Sequence, residues 1–413
     1  MVQAKQSQIN LTAIKYLTFL MFMMFAMTTD SVGVIIPEVS KEFKLSMTAA
    51  GAFHYANMTA IALAGILLGY LADKLGRKTT IILGLILFAV SSALFAVGNS
   101  FGFFLALLIA SGTSIGIFKT GALALVGDIS RSTTEHTSTM NAVEGFFGVG
   151  AIIGPAIVAR LLTSGMSWKW LYLIASAICV LLIVTALLIK YPKTVKTVDE
   201  PINLKRTMAM MKSPYALAFS FGIFLYVVVE CAVYVWMPTL LAADSTIPGF
   251  LVAYSISIFF ILRAAGRFLG AWVLAKWDWS AVMAIFSLAI LACLAGSLIL
   301  GAGVAAYLLP LSGLFMSMIY PTLNSKGISC YPKSEHGAIA GVILFFTAAA
   351  AALGPLAMGA VSDLFGHPKY GFVLAAAAAA LLFLGLLYNW RYNPAQRRLL
   401  ELNSSEYQPA SAE

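Results

Sequence analysis

Twelve long apolar runs follow one another along this chain, at 14–38, 47–72, 79–98, 102–126, 139–163, 169–190, 214–240, 248–275, 279–302, 304–329, 336–363 and 368–391. Each is close to the length of about 20 residues that an α-helix needs to cross a bilayer. A barrel strand needs only about 10 alternating residues, so continuous runs of this kind predict helices. The runs also repeat: Ala64-Gly65-Ile66-Leu67-Leu68-Gly69 returns 201 positions later as Ala265-Gly266-Arg267-Phe268-Leu269-Gly270, and Gly154-Pro155 returns as Gly354-Pro355. The run holding Asp30 has its counterpart, 200 positions on, in the run holding Glu230. A period of half the chain is too long for a solenoid, whose units are about 20–50 residues; it indicates a duplicated membrane domain.

Composition agrees. Hydrophobic residues make up 61% of the 413 and charged ones 10%, with a mean hydropathy of +0.91, whereas a soluble domain is about 45–50% apolar and about 25% charged. The expected fold class is an all-α membrane protein of twelve transmembrane helices in two pseudo-symmetric six-helix bundles. Residues 1–190 would form the first bundle, 191–213 a cytoplasmic linker, 214–391 the second bundle and 392–413 a polar, disordered tail. Within the linker, Asn203 to Met211 is expected to form a short helix on the membrane surface, its basic residues toward anionic lipid.

With both termini inside, 18 of the 26 Lys and Arg fall on the cytoplasmic side and five outside. This positive-inside bias predicts a multi-pass protein of the cell (inner) membrane with cytoplasmic termini. It also accounts for the net charge of +9 without nucleic acid, for which no soluble basic domain exists. The expected partners are a small-molecule solute and the lipid bilayer, with a functional monomer. Met1 to Asn10 leads into a full-length run, so no cleaved signal peptide is expected. Cys179, Cys231, Cys293 and Cys330 lie in or at the ends of runs without CxxC spacing, and read as packing residues.

Gly69-Tyr70-Leu71-Ala72-Asp73-Lys74-Leu75-Gly76-Arg77-Lys78 stands between runs two and three. It resembles the G-x-L-x-D-x-x-G-R-K signature of the major facilitator superfamily. The resemblance implies a cytoplasmic latch of Gly69, Asp73, Gly76, Arg77 and Asp128, with Asp73 capping a helix N-terminus and Arg77 pairing with Asp128. The plainer alternative makes Lys74, Arg77 and Lys78 topology signals only. A narrower resemblance, to the L-fucose/proton symporter family, rests on Phe315-Met316-Ser317-Met318-Ile319-Tyr320-Pro321-Thr322, Met358-Gly359-Ala360-Val361-Ser362-Asp363, Gly266–Gly270 and Asp30 seven residues before Pro37. It implies a proton-coupled sugar symporter.

Two positions depart from that family. Lys119 replaces an acid in helix four, and Asn141-Ala142-Val143-Glu144 replaces Asn-x-x-Gln in helix five. Their depths agree within one turn, which predicts a Lys119–Glu144 ion pair. Asn141 and Glu144 then join the candidate site.

The remaining charges inside the runs admit two readings each. Asp30 is either a proton carrier or the fixed partner of a base such as Lys119. Glu230 shares a helix face with Tyr226 and Tyr234, which suits a sugar (ring faces on tyrosine, hydroxyls on the acid) or simply packs. Tyr320 and Asn324 share a face in run ten and would complete a polar aromatic wall. Arg263 holds Glu230 or clamps a substrate carboxylate. Arg267 and Lys326 are expected to snorkel, and His54 to be a hydrogen-bonded structural residue.

These residues predict a carrier working by alternating access, with the site at mid-membrane between the halves. Asp30, Glu144 and Lys119 are the candidates for proton coupling; Glu230, Tyr226, Tyr234, Tyr320, Asn324, Arg263 and Asn141 are those for solute binding. A proton gradient would supply the energy, with sodium as the alternative ion and no cofactor or metal. The rival readings are an organic-anion symporter, built on Lys119 and Arg263, and a drug/proton antiporter, suggested by Gly148-x-Gly150-x-x-x-Gly154-Pro155. A non-transporting receptor is a third. No serine–histidine–acid or metal-ligand constellation points to an enzyme.

Overall fold

The computed structural model describes residues 10–45, 52–193, 203–242, 244–245 and 247–407, and among these every regular element is a helix. Among the described residues, eleven helices are long and apolar enough to cross a membrane: Leu11–Phe43, Arg77–Ala96, Phe101–Asp128, Thr133–Thr163, Trp170–Leu188, Pro214–Leu241, Tyr254–Lys276, Trp279–Leu300, Ala302–Ser329, Lys333–Phe365 and Lys369–Tyr392. The second in chain order, Ala52–Leu68, is a shorter apolar helix of 17 residues; its expected start at 47–51 lies outside the described residues. We number these spans one to twelve along the chain. Polar side chains start several of them by accepting otherwise unpaired N–H groups: Ser100 from Phe103 (3.3 Å), Ser132 from Glu135 (3.0 Å) and Asp278 from Ala281 (3.0 Å).

Three spans are interrupted where the sequence reads as continuous. Span one breaks at Asp30–Ser31, between helices Leu11–Thr29 and Val32–Phe43, and the Ser31 hydroxyl donates to the Met27 carbonyl at 2.6 Å. Span seven becomes a π-helix over Ala232–Trp236, two residues after Glu230; Pro238 follows, with no N–H for the Tyr234 carbonyl. Span ten breaks between Met316 and Ile319, because Pro321 has no N–H for the Ser317 carbonyl. Apolarity averaged along a run does not register a lost hydrogen bond.

Glycines set how the spans meet, since helices in lipid associate by close backbone packing and not by hydrophobic exclusion. Span two crosses to span eleven: a Cβ at Gly65 would stand 3.1 Å from the Gly341 carbonyl, and one at Gly69 3.0 Å from that of Gly337. Span five crosses to span eight, where a Cβ at Gly148 would lie 3.3 Å from that of Ala264. Both seams run from mid-membrane toward the end that carries Arg77. Within the halves, Gly150 and Gly154 seat on the Met23 and Met27 carbonyls of span one, and Gly354 on Val228 of span seven. The Gly-Pro stretch of span five is thus a packing seam with a counterpart in the other half.

The tail departs from its expected disorder. Gln396–Leu402 is helical and Asn403–Tyr407 a π-turn, with Leu399, Leu402 and Tyr407 buried. The segment is held by specific partners: Asn403 Oδ1 accepts from the Thr133 N–H (3.0 Å), Glu406 Oε2 from that of Lys333 (3.2 Å), and the Tyr407 hydroxyl lies 3.3 Å from Ser329 Oγ. The linker helix, Leu204–Met210, is capped by Asn203. It packs on spans two and eleven, and Arg206 Nε donates to Glu335 at 2.7 Å, so this basic residue takes a carboxylate partner from the protein itself.

Candidate functional site

A cavity of about 300 Å³ lies between the halves. Spans one, two, four and five line it from the amino half, and spans seven, eight, ten and eleven from the carboxyl half. Asp30 stands on its wall at the break in span one, its carboxylate accepting from the Thr29 hydroxyl at 2.8 Å. Facing it, Glu230 accepts from Tyr226 at 2.5 Å and pairs with Arg263 at 2.5 Å. The two acids that correspond in the repeat therefore occupy unlike surroundings: Glu230 is held by a guanidinium, while Asp30 has a hydroxyl.

The expected Lys119–Glu144 pair is not formed. Glu144 pairs with Arg267 of the opposite half at 3.4 Å, and Arg267 also donates to the Glu144 main-chain carbonyl at 2.8 Å. Depth along the two helices agreed with the expectation; azimuth did not. Glu144 shares its face of span five with Gly148, the face that meets span eight. Lys119 instead lies over the Phe147 ring, 4.6 Å from its centroid. Arg267, expected to snorkel, is 1% exposed. Lys326 likewise turns inward, with Nζ 3.5 Å from the Thr133 carbonyl.

Tyr234, Tyr320 and Arg263 line the cavity with Glu230. Tyr226 is completely buried behind Glu230 and reaches the cavity only through that acid. Asn324 donates to the Tyr320 hydroxyl at 3.5 Å, also from behind the wall. Asn141 lies farther toward Arg77, donating to the Thr137 carbonyl at 3.0 Å and to Thr322 Oγ1 at 3.4 Å; it joins the halves and does not line the cavity. His54 sits on the wall, its ring 5.8 Å from that of Tyr55. Sequence reasoning passed over Thr29, Phe147, Phe260 and Thr347, which also line the cavity. No local pattern marks them, because the crossing of the helices decides which face turns inward.

At the Arg77 end the halves are tied together. Gly76 takes φ +93°, a backbone conformation that side chains oppose, and so turns Arg77 inward. Arg77 Nε donates to Asp128 at 2.9 Å, its Nη1 to the Ala72 carbonyl at 2.9 Å and to Asp73, and its Nη2 to the Lys333 carbonyl across the seam. Asp73 accepts from the N–H groups of Gly337 (2.9 Å) and Ala338 (2.8 Å), in the first turn of a helix where the dipole favours an anion. Burial pushes the Asp73 carboxyl up to about 6, against the pull of Arg77 and the two N–H donors. Gly69 lies in the same seam, against Gly337 and Gly341.

What the arrangement can do is hold a small polar molecule among charged and aromatic side chains from both halves, with one end of the molecule sealed. The comparisons agree in kind. The chain is 24% identical over 391 residues to a glucose/galactose transporter of Brucella abortus, covering 89% of this chain and 92% of that one. It is 24% identical over 406 residues to the L-fucose-proton symporter of Escherichia coli strain K12, covering 88% and 90%. The crystal structure of the transporter FucP in its outward conformation superposes with a TM-score of 0.77 at 22% identity, over 91% of this chain and 98% of that one. These relatives are transporters and not enzymes. Residues 18–355 match the Major Facilitator Superfamily, and the chain belongs to that family.

Proposed function

We propose that this transporter moves a sugar or sugar-like metabolite by proton-coupled alternating access. The observation that carries the reading is Asp30: a carboxylate on the cavity wall, at a broken helix, whose partner is a hydroxyl and not a cation. Ionisation is costly there, and proton uptake removes the charge. Glu230, Tyr234 and Tyr320 offer acceptors and aromatic faces to a solute, as sugar recognition requires. The names of the two relatives, one a glucose/galactose transporter and one a fucose-proton symporter, support the same class.

In this reading the halves 14–190 and 214–391 rock about the cavity. The Arg77 end faces the cytoplasm, as the basic residues there favour. Gly69, Asp73, Gly76, Arg77 and Asp128 act as a latch that holds that end shut. Asp30→Asn in proteoliposomes should abolish accumulation driven by a pH gradient while sparing counterflow exchange; concentrative uptake by this variant would sink the assignment.

A further inference from the structure

The cavity contains three carboxylates and three lysine or arginine cations, with His54 beside them on the wall, and the charges do not pair off. Glu230 is held by Arg263 and Glu144 by Arg267, which leaves Asp30 and Lys119. Among the described residues, Lys119 has no carboxylate oxygen within 4.0 Å; it lies over the rings of Phe147 (4.6 Å) and Phe22 (5.9 Å), and Glu144 and Asp30 are the acids whose charge reaches it. A cation over a ring is stabilised by less than an unpaired ammonium costs at bilayer depth. Once Asp30 takes up its proton, the carboxylates and guanidiniums of spans five, seven and eight cancel and the cavity carries one uncompensated positive charge.

We propose that the solute supplies the missing negative charge: it is a monoanionic sugar acid, with its carboxylate at Lys119 and its hydroxyls toward Glu230, Tyr234 and Tyr320. This rests on the proton-coupled sugar reading and narrows its substrate class. The loaded cavity then holds Asp30 protonated, Lys119 against the carboxylate, and two internal ion pairs. One proton and one anion cross together, so no net charge moves. A neutral sugar carried with one proton would move a charge of +1, worth about 2.3 kcal/mol per 100 mV, which converts to about 50-fold accumulation.

Proteoliposomes holding the full chain test this with radiolabelled D-glucuronate, D-galacturonate, D-gluconate and D-galactonate beside D-glucose and D-galactose. Each is run under a pH gradient, with and without a 100 mV inside-negative potassium diffusion potential. The expected result is pH-driven uptake of at least one acid that the potential leaves unchanged. Lys119→Gln should abolish that uptake and Lys119→Arg should retain it. Uptake of a neutral hexose alone, raised by the potential, overturns the anion proposal and keeps the sugar reading; uptake of none of the six, by protein that unfolds cooperatively on heating, overturns both. Unchanged acid uptake by Lys119→Gln also overturns the role of Lys119. The potential measurement on the unaltered protein stands even if that variant does not fold.

Discussion

The Arg267–Glu144 contact joins the halves beside the cavity, and its energetics follow from its geometry. Both side chains are buried, at 1% and 3% exposure, and removing one partner of such a pair costs about 3–5 kcal/mol because a charge is left uncompensated. The structure places the two single variants at different points in that range. In Glu144→Gln, Arg267 keeps the main-chain carbonyl at 2.8 Å, a charge-assisted bond of about 1.5–3 kcal/mol, so the loss should be near 3 kcal/mol or below. In Arg267→Gln, the acid loses its guanidinium partner, and the loss should reach the upper part of the range. The double variant leaves neither charge of this pair and should recover about 1–3 kcal/mol relative to the sum of the singles. At about 2.1 cal/mol/K of unfolding entropy per residue, 1 kcal/mol moves the Tm of a chain this long by about 1 °C. Thermal unfolding of the four proteins in one detergent measures the cycle. Strict additivity, with a coupling under about 0.5 kcal/mol, would refute the pairing of Glu144 with Arg267.

The Arg77 end yields three further expectations. Because burial raises the Asp73 carboxyl from its ordinary 3.8 to about 6, the folded protein binds that proton more tightly than the unfolded chain. Its contribution to stability is full below about 4 and is lost as pH rises through about 6; Asp73→Asn should flatten the dependence of Tm on pH across that window. A side chain at Gly341 would meet the Gly65 carbonyl, so Gly341→Val should cost about 1–3 kcal/mol by overpacking and lower Tm, whereas Gly385→Val, where nothing lies within 4 Å, should not. Deleting residues 396–413 removes the buried Leu399, Leu402 and Tyr407, each worth about 1.5–3 kcal/mol, and should lower Tm by several degrees. An unchanged Tm would show that the tail is not docked in solution.

The sequence by itself determined that the chain is a duplicated helical membrane protein, because lipid leaves the backbone no partner outside the helix and span length is fixed by bilayer thickness. It also singled out Asp30, Glu230, Arg263, Tyr234 and Tyr320, since charge or paired aromatic residues in an apolar run stand out without any structure. The breaks in spans seven and ten fall beside Pro238 and Pro321 inside runs that read as continuous. Only the tertiary structure decided who meets whom. Glu144 and Lys119 share a depth, yet rotation about the helix axis gives Glu144 to Arg267 and leaves Lys119 on the cavity wall. Asn141, Asn324 and Tyr226 lie on expected faces, but the crossing of the halves puts them behind the cavity or off it. The tail reads as polar because its partners, Thr133, Ser329 and Lys333, lie far away in sequence. Periodicity along a helix places a residue on a face; packing between helices decides what that face meets.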